Sequence, residues 1–416
     1  MSYPDSVRFL YALGNEIKTA KLGLERIRVI LDALDHPERA CRFVHVAGTN
    51  GKGSTCAMIE AGLRAAGVAT GLYISPHLIE PVERIQIAGE PVTAGQFTQA
   101  FDLVHAVSET LLASGGIDAH PTYFETVTAM AFALFRELRA ETVVLETGLG
   151  GRLDATNVVS PELTVITPID FDHEQFLGHT IAEIAGEKAG ILKPGVPAVF
   201  ARQRPEALEV LEKRAREMKA PVTKTSDARL DELHLDARGS TFRLNGATVL
   251  CPLAGEHQVE NAITAALSLE QLGVPPGGIA QTRWPGRLEW VSERPAILLD
   301  GAHNAAGARA LAAYIRRFFG DRRVWIVYGT MRDKAVDEVT GTLFPLAAEV
   351  IVTAARYSRS LRPEAIAEMA NDPRVRIEPS IEDALAVIRR EAQPGDAVFV
   401  TGSLFVVGEA RALLLQ

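Results

Sequence analysis

The residues most able to do chemistry lie in the stretch Val46 to Thr55, VAGTNGKGST, which is close to a phosphate-binding loop with altered spacing. The common form of that loop is G-x-x-x-x-G-K-[ST]. Val46 stands where its first glycine is expected, and Gly53 stands where Ser or Thr should follow Lys52. The alternative is an ordinary glycine-rich turn. The stretch joins a β-rich run to a helical pattern, so its backbone amides and the helix N-terminus would face an anion, with Lys52 reaching the outer phosphates.

A second cluster, ETGLGGRLDATN, begins at Glu146 at the end of the apolar run TVVLE. Open α/β sheets place their ligand sites at the carboxyl ends of strands. A carboxylate at such a position, followed by a glycine turn, suits Mg²⁺ held near phosphates. The alternative is a strand-end carboxylate that caps a helix or pairs with Arg152.

A third cluster, TPIDFDHE, also follows an apolar run and brings Asp170, Asp172 and His173 to the same predicted edge. His173 does not have the spacing of a zinc ligand.

In IAGEKAGI, composition alone predicts a close-packed helix with one exposed lysine, Lys188.

Further polar groups follow later in the chain. HQVEN opens a helical pattern and contains Asn261, PGR ends with Arg287, and DGAHN follows the apolar run AILL with Asp300 and His303. Each is open to a structural interpretation as a helix cap, a turn or a surface charge. The alternative is that Arg287 and the pair Asp300 and His303 meet a nucleotide held by the preceding domain.

These residues need a scaffold of strands alternating with helices. Short β-rich runs are predicted at 42–47, 142–146, 163–169, 296–299, 324–328, 349–353 and 397–401. Helical patterns are predicted at 54–66, 123–139, 179–190, 205–219, 258–272, 305–319, 363–371 and 381–391. This alternation predicts an α/β fold with parallel sheets.

Two segments interrupt the alternation. Residues 233–250 alternate apolar and polar types around Asn245-Gly246, which predicts an antiparallel hairpin attached to the first sheet. A Pro- and Gly-rich seam at 273–295 predicts the domain boundary, with an N-terminal domain at 1–284 and a smaller α/β domain at 285–416.

Composition narrows the function classes. The chain has 416 residues and a net charge of −9, so no broad positive field for nucleic acid is expected. Its three cysteines are scattered, which is typical of a reduced compartment. The charged N-terminal segment is unlike a secretory leader, and no apolar run is long enough to span a membrane. A cytoplasmic protein is predicted.

Eight motifs in order resemble the folylpolyglutamate synthase/dihydrofolate synthase family, a branch of the Mur ligase superfamily. The matching runs are AGTNGKGST, ISPHL, ETGLGGRLDATN, DFDHEQFLG, AGEKAGI, HQVEN, PGRLE and DGAHN. The resemblance implies a P-loop Mur-ligase-type ATPase domain with a small β appendage, followed by a Rossmann-like α/β domain. It also explains the altered loop, because the family loop carries glycine after its lysine.

The resemblance further implies roles for single residues. Those implied to bind ATP are Asn50, Gly51, Lys52, Gly53, Ser54, Thr55, Asn261, Arg287 and Asp300. Those implied to hold two Mg²⁺ ions are Ser75, Glu146 and His173. Lys188 matches a lysine carried as a carbamate, and His303 is placed near the phosphates or the acyl intermediate. Those implied to form a pterin pocket are Tyr123, Phe124, Glu125, Thr126, Leu153, Asp154 and Ala155.

The implied reaction is ATP-dependent addition of L-glutamate to dihydropteroate or to reduced folates through an acyl phosphate, in a monomer that also uses a monovalent cation. Domain closure by Arg287 and Asp300 would keep water from the acyl phosphate. Two alternatives stay open. One is a monofunctional member or another Mur-type amino-acid ligase, and the other is a non-catalytic nucleotide-binding protein.

Overall fold

The polypeptide forms two compact units, each built around strands that alternate with helices. The computed structural model describes residues 1–13, 23–332 and 336–415. The first unit comprises residues 1–231, 243–249 and 260–282. The second unit comprises residues 232–242, 250–259 and 283–416. The single boundary between residues 284 and 285 stays a prediction.

An eight-stranded sheet forms the centre of the first unit. Its strands are β1 (Arg42–Ala47), β2 (Thr70–Tyr73), β3 (Ile85–Ile87), β4 (Glu90–Pro91), β5 (Thr142–Glu146), β6 (Leu163–Ile166), β7 (Ala198–Phe200) and β8 (Val222–Lys224). The strand order is β4-β3-β2-β5-β1-β6-β7-β8. The pairings along β2-β5-β1-β6-β7-β8 are all parallel. At one edge of the sheet, β3 pairs in antiparallel fashion with both β2 and β4. The carboxyl ends of β2, β5, β1 and β6 therefore meet at one edge of the sheet.

Helices surround this sheet and are connected to it by short turns. They are α1 (Tyr3–Ala12), α2 (Glu25–Ala33), α3 (Lys52–Ala65), α4 (Ala94–Ala113), α5 (Tyr123–Glu137), α6 (Glu174–Leu177), α7 (Ile181–Ala189), α8 (Pro205–Met218) and α9 (Glu256–Gln271). Phe132 and Phe135 of α5 are completely buried in one apolar cluster, and α7 and α8 contribute Ile184 and Leu211 to another. Each such side chain stabilises the fold by about 1.5–3 kcal/mol through burial.

A separate three-stranded sheet contains the segment predicted as a hairpin. Its strands are β9 (Leu230–Leu235), β10 (Ser240–Leu244) and β11 (Ala247–Cys251), in the order β11-β10-β9. Asn245 and Gly246 both have positive φ, at 49° and 91°, as a tight turn between β10 and β11 requires. The turn is therefore confirmed, while the segment forms its own sheet rather than joining the first one.

A six-stranded sheet forms the centre of the second unit. Its strands are β12 (Glu289–Glu293), β13 (Ala296–Leu299), β14 (Val324–Tyr328), β15 (Glu349–Val352), β16 (Val375–Ile377) and β17 (Ala397–Thr401), in the order β12-β13-β17-β14-β15-β16. Only β12 is antiparallel to its neighbour. The helices are α10 (Ala305–Phe319), α11 (Val336–Leu343), α12 (Pro363–Ala370), α13 (Ile381–Glu391) and α14 (Leu404–Leu414).

The α/β class and every predicted strand are confirmed, with small shifts at the ends. Helix α3 begins at Lys52 rather than at residue 54, so the lysine belongs to the first helical turn. Among the described residues, no helix is long and apolar enough to cross a membrane.

Candidate active site

The predicted phosphate loop lies between β1 and α3, and its glycines adopt conformations that side chains would obstruct. Gly51 has a φ of +81° and caps α3. A Cβ atom on Gly51 would stand 2.2 Å from Asn261 Oδ1, and one on Gly48 would stand 1.8 Å from Thr167 Oγ1. Glycine alone tolerates both the φ and these approaches, and with glycine as the N-cap no capping side chain occupies the N-terminus of this 14-residue helix. This geometry suits a phosphate group.

Hydrogen bonds fix this loop to the segment that follows β6. The amides of Thr49 and Asn50 donate to the Pro168 carbonyl at 3.0 and 3.2 Å. The Thr49 hydroxyl also donates to the Asp170 carbonyl at 3.0 Å and accepts from the Asp170 amide at 3.1 Å. The first and third sequence clusters therefore meet at the carboxyl edge of the first sheet, as the strand pattern predicts.

Two lysines approach the loop from different helices. Lys52 Nζ donates to the Thr49 carbonyl at 3.3 Å, and Lys188 Nζ donates to the Gly48 carbonyl at 2.8 Å. Lys188 is only 4% exposed. The composition-based prediction of an exposed lysine is therefore wrong, because α7 turns this side chain towards the loop.

The surroundings of Lys188 favour its neutral form. Burial is the main cause and the positive charge of Lys52 adds to it, while Asp172 and Asp154 act in the opposite direction. Together they lower the pKa of Lys188 to about 7. A neutral amine is the form that reacts with CO₂, so this environment is compatible with the carbamate that the resemblance implies.

Ser75 and Glu146 lie together where β2 and β5 end. The Ser75 amide donates to Glu146 Oε2 at 3.0 Å, and the Glu146 side chain is buried. The Ser75 hydroxyl is also buried and has no hydrogen-bond partner within the described part of the chain. An unsatisfied oxygen beside a buried carboxylate fits a hard cation such as Mg²⁺.

His173 caps the short helix α6 with a φ of +51° and a side chain that is 30% exposed. Its amide donates to Asp172 Oδ1 at 2.9 Å, and its ring Nε2 lies 3.9 Å from the same oxygen. Over residues 1–13, 23–332 and 336–415, no group of three or more His, Cys, Asp or Glu side chains is arranged to hold a metal ion. The predicted set has only two residues of these types, and metal binding by His173 stays a prediction.

The first turn of α5 carries four of the predicted substrate residues. These are Tyr123, Phe124, Glu125 and Thr126. A Cβ atom on Gly148 would stand 2.5 Å from Phe124 Cζ, so this helix packs directly on the glycine turn after Glu146. The Tyr123 ring lies under the Arg84 guanidinium, whose Cζ is 4.8 Å from the ring centroid.

Two of these residues use their polar groups within the protein. Glu125 is 6% exposed, accepts from Arg26 Nη1 at 3.1 Å, and accepts from the Thr122 amide at 2.8 Å. The Thr126 hydroxyl donates to the Thr122 carbonyl at 2.9 Å. Contact of this turn with a substrate stays a prediction.

The remaining predicted substrate residues lie at the start of a short 3₁₀ helix, Ala155–Val158. They are Leu153, Asp154 and Ala155, the first half-buried and the others buried. Asp154 Oδ2 accepts from the amides of Gly148 and Leu149 at 2.9 and 2.8 Å. Its Oδ1 accepts from the Thr156 amide at 3.0 Å and from the Thr156 hydroxyl at 2.5 Å. Since a carboxylate has about four acceptor positions, the loop itself saturates Asp154.

In the second unit, Asp300 follows β13 and organises the turn that contains Arg287. Its two oxygens accept from the amides of Leu288 and Ala302, each at 3.0 Å. Burial is the main cause of the lowered pKa of the neighbouring His257. The charge of Asp300 raises that pKa, and the charge of Arg287 lowers it.

His303 lies beside the same turn. Its Nδ1 donates to the Gly301 carbonyl at 2.8 Å, and a Cβ atom on Gly301 would stand 2.1 Å from Arg287 Nη1. The structure thus brings Arg287, Asp300 and His303 together within the second unit. Their contact with a nucleotide stays a prediction.

Two residues that shape the site were not found by sequence analysis. Arg26 of α2 pairs with Glu125 across 99 positions of the chain. Its run KLGLERI at 21–27 also resembles the family, but the resemblance implies no role for Arg26. His45 is completely buried in β1. The only signal for His45 is a polar residue inside the otherwise apolar run RFVHVA.

Comparison with known proteins matches both halves of the chain. Residues 46–269 match the Mur ligase middle domain, and residues 286–404 match the Mur ligase, glutamate ligase domain. A dihydrofolate synthase/folylpolyglutamate synthase of Bacillus subtilis is 36% identical over 95% of this chain and 95% of its own length.

Solved structures agree over the whole chain. The folylpolyglutamate synthase of Mycobacterium tuberculosis complexed with ADP and AMPPCP has a TM-score of 0.92 at 34% identity and covers 100% of this chain and 99% of its own. FolC of Escherichia coli in complex with DHPP and ADP has a TM-score of 0.89 at 29% identity and covers 100% of this chain and 98% of its own. The chain therefore belongs to the folylpolyglutamate synthase/dihydrofolate synthase family of Mur ligases.

Proposed function

We propose that this protein is an ATP-dependent ligase that adds L-glutamate to dihydropteroate and to the γ-carboxyl group of reduced folates. The observation that carries the proposal is the arrangement at the phosphate loop. There, the buried Lys188 Nζ lies 2.8 Å from the Gly48 carbonyl oxygen. A relative with these two enzyme names matches 95% of the chain. A buried amine beside a phosphate loop has no role in packing that an apolar side chain would not serve better.

The loop residues fit the triphosphate of ATP. The Thr55 hydroxyl is buried and finds no hydrogen-bond partner among the described residues, so it is available to a phosphate oxygen. Bound ATP supplies the phosphoryl group that turns the substrate carboxylate into an acyl phosphate. The loop amides and Lys52 orient that group and neutralise its charge, which is most of the catalytic work in phosphoryl transfer.

Two Mg²⁺ ions would be held by Ser75, Glu146 and His173. The support for this assignment is the Ser75 hydroxyl, which lies beside Glu146 and has no partner among the described residues. A carbamate on Lys188 would place a negative charge there and support the second ion. The sequence resemblance also implies a monovalent cation, and these assignments are proposals.

The pterin ring would lie against the first turn of α5 and the turn at 153–155. In the second unit, Arg287, Asp300 and His303 would contact ATP or the acyl phosphate. A cytoplasmic location and a monomeric state are further parts of the proposal.

The test is ADP release by the purified protein with Mg²⁺ and bicarbonate. Reactions contain L-glutamate with dihydropteroate, with tetrahydrofolate, or with neither. We expect ADP release with dihydropteroate and also with tetrahydrofolate. If neither substrate causes ADP release, the ligase assignment is rejected. Release with only one would identify a monofunctional member, and binding of ATP without any release would favour the non-catalytic alternative.

Lys52→Ala is expected to abolish turnover, because it removes the loop ammonium that would neutralise charge on the transferring phosphoryl group. Lys213→Ala is the matched control, since Lys213 is exposed on α8. A Lys52→Ala variant with the rate of this control would contradict the role given to the loop.

A further inference from the structure

His45 is a completely buried polar residue in the strand that leads into the phosphate loop. It pairs in register with Leu145 of β5 and Thr164 of β6, so it lies at the centre of the sheet. Its Nε2 is 2.9 Å from the hydroxyl oxygen of Thr156. A buried polar ring costs free energy unless its nitrogens are hydrogen-bonded, and Nδ1 of His45 has no partner among the described residues.

The direction of the hydrogen bonds follows from the single proton of a hydroxyl group. The Thr156 hydroxyl donates to Asp154 Oδ1 at 2.5 Å, so it accepts from His45. The imidazole therefore carries its proton on Nε2. Burial, with a contribution from the charge of Lys193, lowers the pKa of His45 to about 3, which keeps the ring neutral.

The other end of this chain of hydrogen bonds is the glycine turn after Glu146. Asp154 Oδ2 holds the amides of Gly148 and Leu149 at 2.9 and 2.8 Å. Gly148 in turn lies directly against Phe124, with no room for a Cβ atom between them. The turn therefore fixes both the segment that carries Glu146 and the predicted pterin wall.

We infer that His45 is a positioning residue, which acts through Thr156 and Asp154 to hold the glycine turn in the geometry that pteridine substrates need. It touches neither ATP nor substrate. The inference rests on the proposed function, because the substrate class comes from it.

Three variants test the inference. His45→Leu removes the donor, Thr156→Val removes the link, and His45→Gln keeps an amide N–H near the position of Nε2. Thr164→Val is the matched control, since its hydroxyl is buried in the neighbouring strand with no partner among the described residues. For each variant, kcat/KM for dihydropteroate, affinity for ADP and melting temperature are measured.

We expect His45→Leu and Thr156→Val each to lower kcat/KM by about tenfold or more, with ADP affinity within about threefold of wild type. The double variant should be no worse than either single one, because both break the same chain. His45→Gln should recover most of the loss. Multiplicative losses, no recovery with glutamine, or an equal loss in Thr164→Val would overturn the inference.

A measurement independent of turnover separates this inference from the proposed function. In ¹⁵N NMR spectra of the full chain, His45 should show a proton on Nε2 that exchanges slowly and becomes faster in Thr156→Val. A proton on Nδ1 would overturn the positioning role even if the enzyme is active. Absence of turnover in the wild-type protein would reject the proposed function, while these spectra would still decide the role of His45.

Discussion

Replacement of Lys188 by methionine tests the buried amine directly, because methionine has a similar volume and no charge. The pKa of Lys188 is about 7 in the folded protein, against 10.5 for an ordinary lysine. Between these values the unfolded chain binds one proton more than the folded chain. The stability of the wild-type protein should therefore rise with pH across this window. The penalty for burial is fully present below pH 7 and disappears as the pH approaches 10.5.

The size of the effect follows from the same shift. Each pH unit inside the window is worth about 1.4 kcal/mol, and the whole window of about 3.5 units is worth about 5 kcal/mol. Lys188→Met has no such proton, so its stability should lack this slope. Lys52, Asp172 and Asp154 face the amine and are present in both proteins, so their own titration largely cancels in the difference.

The assay is urea denaturation of both proteins at several pH values from 7.5 to 9.5, in buffers depleted of CO₂. We expect the wild-type free energy of unfolding to gain about 1.4 kcal/mol per pH unit relative to Lys188→Met. Parallel curves would show that Lys188 has the same pKa in the folded and unfolded states. Burial of Lys188 would then not lower its pKa.

The same shift has a consequence for activity. At pH 7.5 about three-quarters of Lys188 would be neutral, against about one in a thousand for an ordinary lysine. Depletion of CO₂ should therefore lower the wild-type rate, and bicarbonate should restore it. Lys188→Met should stay inactive under both conditions, and the control Lys213→Met should behave as wild type. Full activity of a protein whose Lys188 carries an unmodified amine would contradict the proposed carbamate.

Three further changes test the local geometry. Gly51→Ala places a Cβ atom 2.2 Å from Asn261 Oδ1 at a φ of +81°, so ATP affinity in calorimetry should fall by about tenfold or more while the circular dichroism spectrum is kept. Asp300→Ala leaves two backbone amides without their acceptor, and urea denaturation should show a loss of about 1–3 kcal/mol. Arg26→Met removes the cationic partner of the buried Glu125 carboxylate, and the free energy of unfolding should fall by about 3 kcal/mol.

The strands β1, β5 and β6 could be predicted because they are short, buried runs of mainly apolar residues. The strand β2, which precedes Ser75, could not, since TGLY contains glycine and only one aliphatic residue. Its residue Gly71 makes room for the ring of Phe135, a contact between distant parts of the chain. The pattern of apolar residues thus predicts strands whose residues have an intrinsic preference for β structure. It misses a strand such as β2, which depends on tertiary packing.

The site shows the same division. The glycines and Lys52 form one contiguous segment, so their proximity is fixed by the chain itself. The burial of Lys188 depends on a contact with Gly48, which lies 140 positions earlier. The saturation of Asp154 depends on how the turn folds back on Gly148 and Leu149. Neither the burial of Lys188 nor the hydrogen bonds of Asp154 can be predicted from composition. The resemblance to the family identified both residues but implied nothing about their contacts.

Several buried polar groups lie at or near the carboxyl edge of the first sheet. Lys188, Glu146 and Asp154 are buried ionisable residues, and the Ser75 hydroxyl is buried without a partner among the described residues. An apolar side chain at each position would cost less in folding, because each buried polar group loses its hydration. Such departures persist where function requires them. Their location beside a glycine loop that admits no Cβ atom fits the role proposed for this edge, the neutralisation of charge during phosphoryl transfer.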